Sequence, residues 1–287
     1  MKWTPGDRSN VEDLRGRTGG GMRMGGIGLG GLLVILVLSW LTGVDFLSLV
    51  GDPGVSPAPT ETVGTGGGPV ATTPEEERMV DFVDAVMADA QGTWNSLLPG
   101  RYRETRTRVF RDAVESACGI GQSATGPFYC PADQRVYLDL GFFTELDRRF
   151  GAPGDFAQAY VLAHELGHHV QTLLGTDSQV RQMQQSRPDQ ANQLSVRMEL
   201  QADCFAGVWG HHASQPGRAA QGKVELERGD LEEGLNAAAA IGDDRLQRMG
   251  GGRVAPDRFT HGSSEQRVTW FRRGLESGDP RACETFQ

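Results

Sequence analysis

His164 and His168 lie four residues apart around a glutamate, in the order His164-Glu165-Leu166-Gly167-His168. On an α-helix, residues four apart share a face, so both imidazoles can reach one metal ion. Glu165 is turned about 100° from His164, which sets its carboxylate beside that ion rather than on it. This is the HExxH arrangement, in which two histidines hold zinc and the glutamate serves as general base. Zinc lowers the pKa of water from about 15.7 to about 7, and the carboxylate takes up the released proton. The chemistry on offer is hydrolysis.

Zinc in a catalytic site takes three protein ligands and keeps one position open. Downstream, residues 194–209 carry Val196, Leu200, Cys204 and Val208 at four-residue spacing, which predicts a helix. Glu199 and Asp203 share one face of it. Glu199 is the expected third ligand. Asp203 is the expected partner of a ligand histidine, because metal-bound imidazoles donate their other N–H to such a group. A solvated acidic face is the competing reading. The neighbours Met198, Leu200, Ala202, Cys204 and Phe205 are apolar and argue against it.

These residues need elements to position them. Residues 155–174 read as the helix of the paired histidines, stopped by Gly175. Residues 176–193 are polar and Gln-rich, a surface loop or a loose helix. A capping box at Thr73-Pro74-Glu75-Glu76 opens a helix over 74–98. Arg135 to Leu140 reads as a strand and Arg103 to Phe110 as a weaker one. Residues 230–249 and 264–274 read as two further helices. The predicted fold class is α+β, helix-dominated with a small β-sheet.

The chain has 287 residues and a net charge of −9, which speaks against nucleic acid as a partner. Met24 to Val44 is 21 residues without a charge, long enough to span a bilayer core as a helix. A buried soluble helix and a cleaved signal peptide compete with this reading. Lys2, Arg8, Arg15, Arg17 and Arg23 precede the stretch, and no Lys or Arg follows it between 45 and 77. The positive-inside rule then predicts a cytoplasmic tail over 1–23, a transmembrane signal anchor over 24–44, a Pro/Gly-rich linker over 45–73 and an extracytoplasmic domain over 74–287. The four cysteines, Cys118, Cys130, Cys204 and Cys283, all follow the apolar stretch. An even count on an exported side predicts two disulfides, and three pairings are open. Closeness along the chain favours Cys118 with Cys130, leaving Cys204 with Cys283.

Several segments together resemble the bacterial putative neutral zinc metallopeptidase family. They are Gly126 to Pro131, Val136 to Asp139, Ala163 to Gln171, Glu199 to Gly207 and Phe259 to Arg267, with an opening at Asn10 to Gly16. The resemblance covers most of the chain outside 51–74 and 176–193. It implies a zincin-type fold and a gluzincin-like site with one zinc on His164, His168 and Glu199. The implied setting is a bacterial cell membrane, and the implied substrate a peptide or protein. Such sites need a donor for the oxyanion that forms on the scissile carbonyl. His261 is the candidate, with Tyr137 and Tyr160 as rivals. His169, His211 and His212 read as structural. The strand around Val136 to Leu140 is expected to take an extended peptide as an added strand. Two other readings stay open: a catalytically silent envelope module with structural zinc, and a zinc amidase acting on cell-wall peptides.

Overall fold

The computed structural model describes residues 1–16, 72–122, 126–251 and 253–286. Strand β1 (Val11–Asp13) precedes helix α1 (Pro74–Leu97). Then come β2 (Arg106–Phe110), β3 (Ala113–Ser116), β4 (Gly119–Gln122), β5 (Phe128–Cys130) and β6 (Arg135–Asp139). The rest is helical: α2 (Gly141–Arg148), α3 (Asp155–Leu174), α4 (Thr176–Ser186), α5 (Ala191–Ala213), α6 (Asp230–Ala240), α7 (Asp243–Met249) and α8 (Ser264–Ser277). The fold is helix-dominated α+β with a small sheet, as the sequence predicts. The expected transmembrane anchor over 24–44 lies outside the described residues. Among the described residues no helix is long and apolar enough to cross a membrane.

The main sheet has the order β1-β2-β6-β5, with β1, β2 and β6 parallel and β5 antiparallel to β6. One continuous apolar core joins it to the helices. Val83, Met87 and Trp94 of α1 meet Val136 and Leu138 of β6, Phe156 and Leu166 of α3, Phe205 and Trp209 of α5, and Phe271 of α8. The predicted capping box is present, with Thr73 accepting from the Glu76 N–H and Glu76 accepting from the Thr73 N–H. The α5–α8 crossing is so close that a Cβ on Gly274 would overlap the Cys204 carbonyl oxygen. Only glycine permits that approach.

Two stretches refine the expectation. Of the loop and helix readings open for 176–193, helix holds over most of it: α4 occupies 176–186, and α5 begins at Ala191 rather than 194. The polar composition hid this, because α4 buries little besides Val180 and Asp177. The single helix expected over 230–249 is two, broken at Ile241-Gly242. Gly242 lies against the Ser264 backbone at the start of α8, and a side chain there would collide with it.

Residues 1–23 read as a separate tail, yet residues 1–15 belong to the same compact unit as residues 71–287. β1 pairs with β2 in the register Val11–Thr107, Glu12–Arg108, Asp13–Val109. Trp3 packs edge-on against Phe82, ring centres 5.5 Å apart. Arg8 pairs with Glu77 and Asp81, both at 2.6 Å, and Arg15 reaches Glu77 at 2.8 Å. The buried Asp84 carboxylate accepts from the backbone N–H groups of Arg8 and Asn10. Period-based reading misses such a segment because three residues of strand carry too little pattern.

Both disulfides form with the favoured pairing, Cys118–Cys130 and Cys204–Cys283. The second spans 79 residues. Closing a loop of that length contributes about 4–5 kcal/mol in the chain-entropy account. It ties the C-terminal segment to α5.

Candidate metal centre

Helix α3 presents His164 and His168 one turn apart, and α5 crosses it to bring in Glu199. One ligand atom from each of the three residues falls within 4.8 Å of the others. His164 Nε2 stands 3.2 Å from Glu199 Oε2, and His168 Nε2 stands 3.6 Å from Glu199 Oε1. The crossing is close because Gly167 lies on the Ala202 backbone, where a Cβ would sit only 3.0 Å from a carbonyl oxygen.

The outer nitrogens decide which way the rings face. His164 Nδ1–H donates to Asp203 Oδ1 at 2.8 Å. His168 Nδ1–H donates to Gln171 Oε1 at 2.8 Å, since Gln171 Nε2 is itself donating to the Met198 carbonyl. Both Nε2 lone pairs therefore point to one place. Two neutral imidazoles and a carboxylate at that spacing fit a zinc ion with an open position. Burial opposes charge on His164, but Asp203 and Glu199 outweigh it and push its pKa up to about 9. Metal uptake below that pH displaces a proton. Burial would raise Glu199, but His168 and His164 hold it well below the usual carboxylate range.

Asp203 is fully buried and carries more than one imidazole. It also accepts from Tyr160 Oη at 2.5 Å and from Arg267 Nε and NH2 at 2.9 and 2.8 Å. Arg267, on α8, is buried too. Sequence reading found Asp203 but not Arg267, Gln171 or Asp243. Gln171 had a signal, sitting three residues after His168 on the same helix. Arg267 had one as well, as the last residue of the family-like segment Phe259 to Arg267, but nothing local tied it to Asp203.

Glu165 is buried between the ligands and β5, and burial raises its carboxyl pKa against the pull of the two histidines. Tyr129, on β5 beside it, is held by His169, whose Nδ1 accepts from the tyrosine hydroxyl at 3.0 Å while Nε2–H donates to the Arg103 carbonyl at 2.6 Å. His169 is structural, as expected. His211 and His212 bond the Leu275 and Gly278 carbonyls and are structural as well.

A cleft of about 550 Å³ opens over the cluster, lined by His164, Glu165, His168, Glu199, His261 and the Gly126–Tyr129 edge among others. A second cavity of similar volume lies against α1 and contains none of these residues. Of the three oxyanion-donor candidates, only His261 lines the cleft. Tyr160 spends its hydroxyl on Asp203, and Tyr137 donates to Asp133 on the far side of β6. His261 is clamped by Asp243. One carboxylate oxygen accepts from the N–H groups of Thr260, His261 and Gly262, and the other pairs with His261 Nδ1 at 3.2 Å. The expected peptide-binding strand requires correction. β6 is flanked by β2 and β5, so it has no edge to offer; among the described residues β5 is an edge strand, and it borders the cleft.

Replacing both imidazoles, His164→Ala with His168→Ala, should abolish stoichiometric zinc, because a lone carboxylate is a poor zinc site. Metal analysis of the purified folded variant checks this; undiminished zinc would overturn the ligand assignment.

The chain is 46% identical over 300 residues to the uncharacterized protein YpfJ of Escherichia coli (strain K12), covering 100% of this chain and 99% of that one. It is 46% identical over 197 residues to the uncharacterized protein Rv2575 of Mycobacterium tuberculosis (strain H37Rv), covering 67% and 66%. No solved structure matches. The family model described as putative neutral zinc metallopeptidase matches residues 1–286. With its metal cluster on the matching segments, the chain belongs to that family.

Proposed function

We propose that the chain is a zinc-dependent peptidase that hydrolyses peptide bonds with Glu165 as general base. The observation that carries this reading is the convergence of His164, His168 and Glu199 beside a buried Glu165, under a cleft bordered by β5, an edge strand among the described residues. Zinc held there would supply Lewis acidity and acidify the attacking water. Glu165 accepts the proton of that water and returns it to the leaving amine. Its burial suits the task, because a carboxyl raised toward neutrality is a stronger base. An extended peptide adds to the outer edge of β5, antiparallel or parallel, by main-chain hydrogen bonds. His261 donates to the oxyanion, and Asp243 orients it. The Asp243 hydrogen bond also raises the His261 pKa, which favours the donating form. The two disulfides support a place outside the cytoplasm.

Incubating the purified chain with a peptide library, with and without chelator, tests the activity. Chelator-sensitive cleavage is expected; a zinc-loaded chain that cleaves nothing would point to a silent binding module. His261→Ala should lower kcat by roughly 10²–10³-fold with KM little changed. Tyr137→Phe should leave the rate near that of the unaltered chain. Steady-state kinetics on one cleaved peptide separates them, and equal losses would remove His261 from the mechanism.

A further inference from the structure

The cleft over the metal cluster is not uniform along its length. On α3, Val161, His164, Glu165, His168 and Thr172 follow at three- and four-residue steps, so they share one face and mark the floor. The Thr172 end carries polar groups. The Thr172 hydroxyl donates to Asp177 at 3.2 Å, and Asp177 pairs with Arg181 at 3.1 Å. The Val161 end is apolar. Phe142 of α2 and Phe150, just before α3, form one wall, and Ile241 and Leu246 at the α6–α7 break form the other. The Phe150 carbonyl accepts from Arg245 of α7 at 2.8 Å, which holds the two walls to each other. All four apolar side chains are half-buried, whereas Phe143, next to Phe142, goes into the core. Large apolar groups left half-exposed around a concave site mark a place where a ligand completes the packing.

The walls are set against the metal ligands. The helix breaks at Gly242, which rests on the Ser264 backbone, and the Ile241 carbonyl accepts from Arg267 at 3.3 Å. The same guanidinium holds Asp203 behind His164, so one side chain registers both. At this end, among the described residues, the charges are already committed. Glu145 and Arg149 face each other at 3.9 Å, and the Arg149 guanidinium lies over the Phe150 ring, 5.5 Å from its centre. A charged guest would lose water there without gaining a partner. The edge of β5 begins at the same end. Gly126 has a φ of 76°, and a Cβ there would lie 3.3 Å from the Phe142 ring. A peptide added along β5 turns alternate side chains toward the cleft, and the one passing Gly126 meets Phe142.

We infer that the Val161 end is a subsite for a large apolar side chain, aromatic or branched aliphatic, so that the substrates are peptides cut beside such a residue. The scissile bond in this statement rests on the peptidase reading; the subsite itself is tested by binding.

Two series of hydroxamates are titrated calorimetrically into the zinc-loaded full chain. N-acetyl amino-acid hydroxamates place a side chain on one side of the metal, and succinyl hydroxamates place it on the other. Within each series the side chain is hydrogen, carboxymethyl, isobutyl or benzyl. In one series isobutyl or benzyl should bind roughly 10–100-fold tighter than hydrogen, the gain expected for burying such a group. Carboxymethyl should gain nothing. Leu246→Asp on one wall, and independently Phe142→Ala on the other, should erase most of the gain, and Leu246→Met should keep it. Met249→Asp, at the exposed end of the same helix, should keep it too. Melting temperatures identify which variants are folded. Equal affinity or no binding across both series, or a gain that survives the wall changes in folded chains, would overturn the subsite. Cut-site mapping on a peptide library separates the two readings. Cuts without apolar preference refute the subsite and leave the peptidase standing. Apolar-selective binding without any cutting keeps the subsite and refutes the peptidase.

Discussion

Glu165→Gln should retain zinc and lose turnover by roughly 10²–10⁴-fold. The amide has nearly the shape of the carboxylate. It cannot take a proton. Because Glu165 is not among the three converging ligands, metal content should stay at the level of the unaltered chain. The paired measurement matters: metal analysis and kcat on the same preparation. A fall in kcat with zinc intact separates the base from the ligand set. Turnover within a few-fold of the unaltered chain would refute the mechanism, whatever the metal content.

Arg267→Met should be the most damaging single change outside the metal ligands. It leaves Asp203 charged and buried with Tyr160 and His164 as its remaining partners. Breaking a buried pair by removing one member costs about 3–5 kcal/mol. In a domain of this size each kcal/mol moves Tm by about 2–4 °C, so calorimetry should register a clear drop. The double change Arg267→Met with Asp203→Leu removes both charges and should regain part of that stability. It should not regain metal affinity. His164 then lacks the acceptor for its Nδ1–H, and loss of such a partner weakens metal binding by roughly 10–100-fold. Zinc titration of the double variant reads this directly. Full affinity there would reduce the Asp203–Arg267 pair to a purely structural role.

The parts of the fold legible in the sequence were those with a repeating pattern or a local signal. The histidine helix, its αL stop at Gly175, the capping box at Thr73 and the strand at 135–139 all announce themselves within a few residues. So did the pairing of His164 with His168 on one side of the cluster, because four-residue spacing on a helix fixes a shared face. What stayed hidden depended on distant partners. Asp243 gains its role only because the chain returns to it 17–19 residues later with three N–H groups. Arg267 matters only where α8 crosses α5. The β3–β4 hairpin is short and half-exposed, and β1 is three residues long, so neither carried a usable period. The placement of β6 inside the sheet, which moves the peptide-binding edge to β5, is a matter of strand order that no single segment encodes.

The metal cluster joins α3 to α5, and in the unfolded chain nothing holds those ligands together. Zinc held by that cluster would therefore bind the native state in preference to the unfolded one, and mass action would make it a folding ligand. At free zinc a hundred times its Kd, the native state gains about 2.7 kcal/mol. A melting temperature that climbs with free zinc is the signature. The metal supply of the compartment would then set how long each copy of the protein survives its neighbours' proteases, as well as how fast it works.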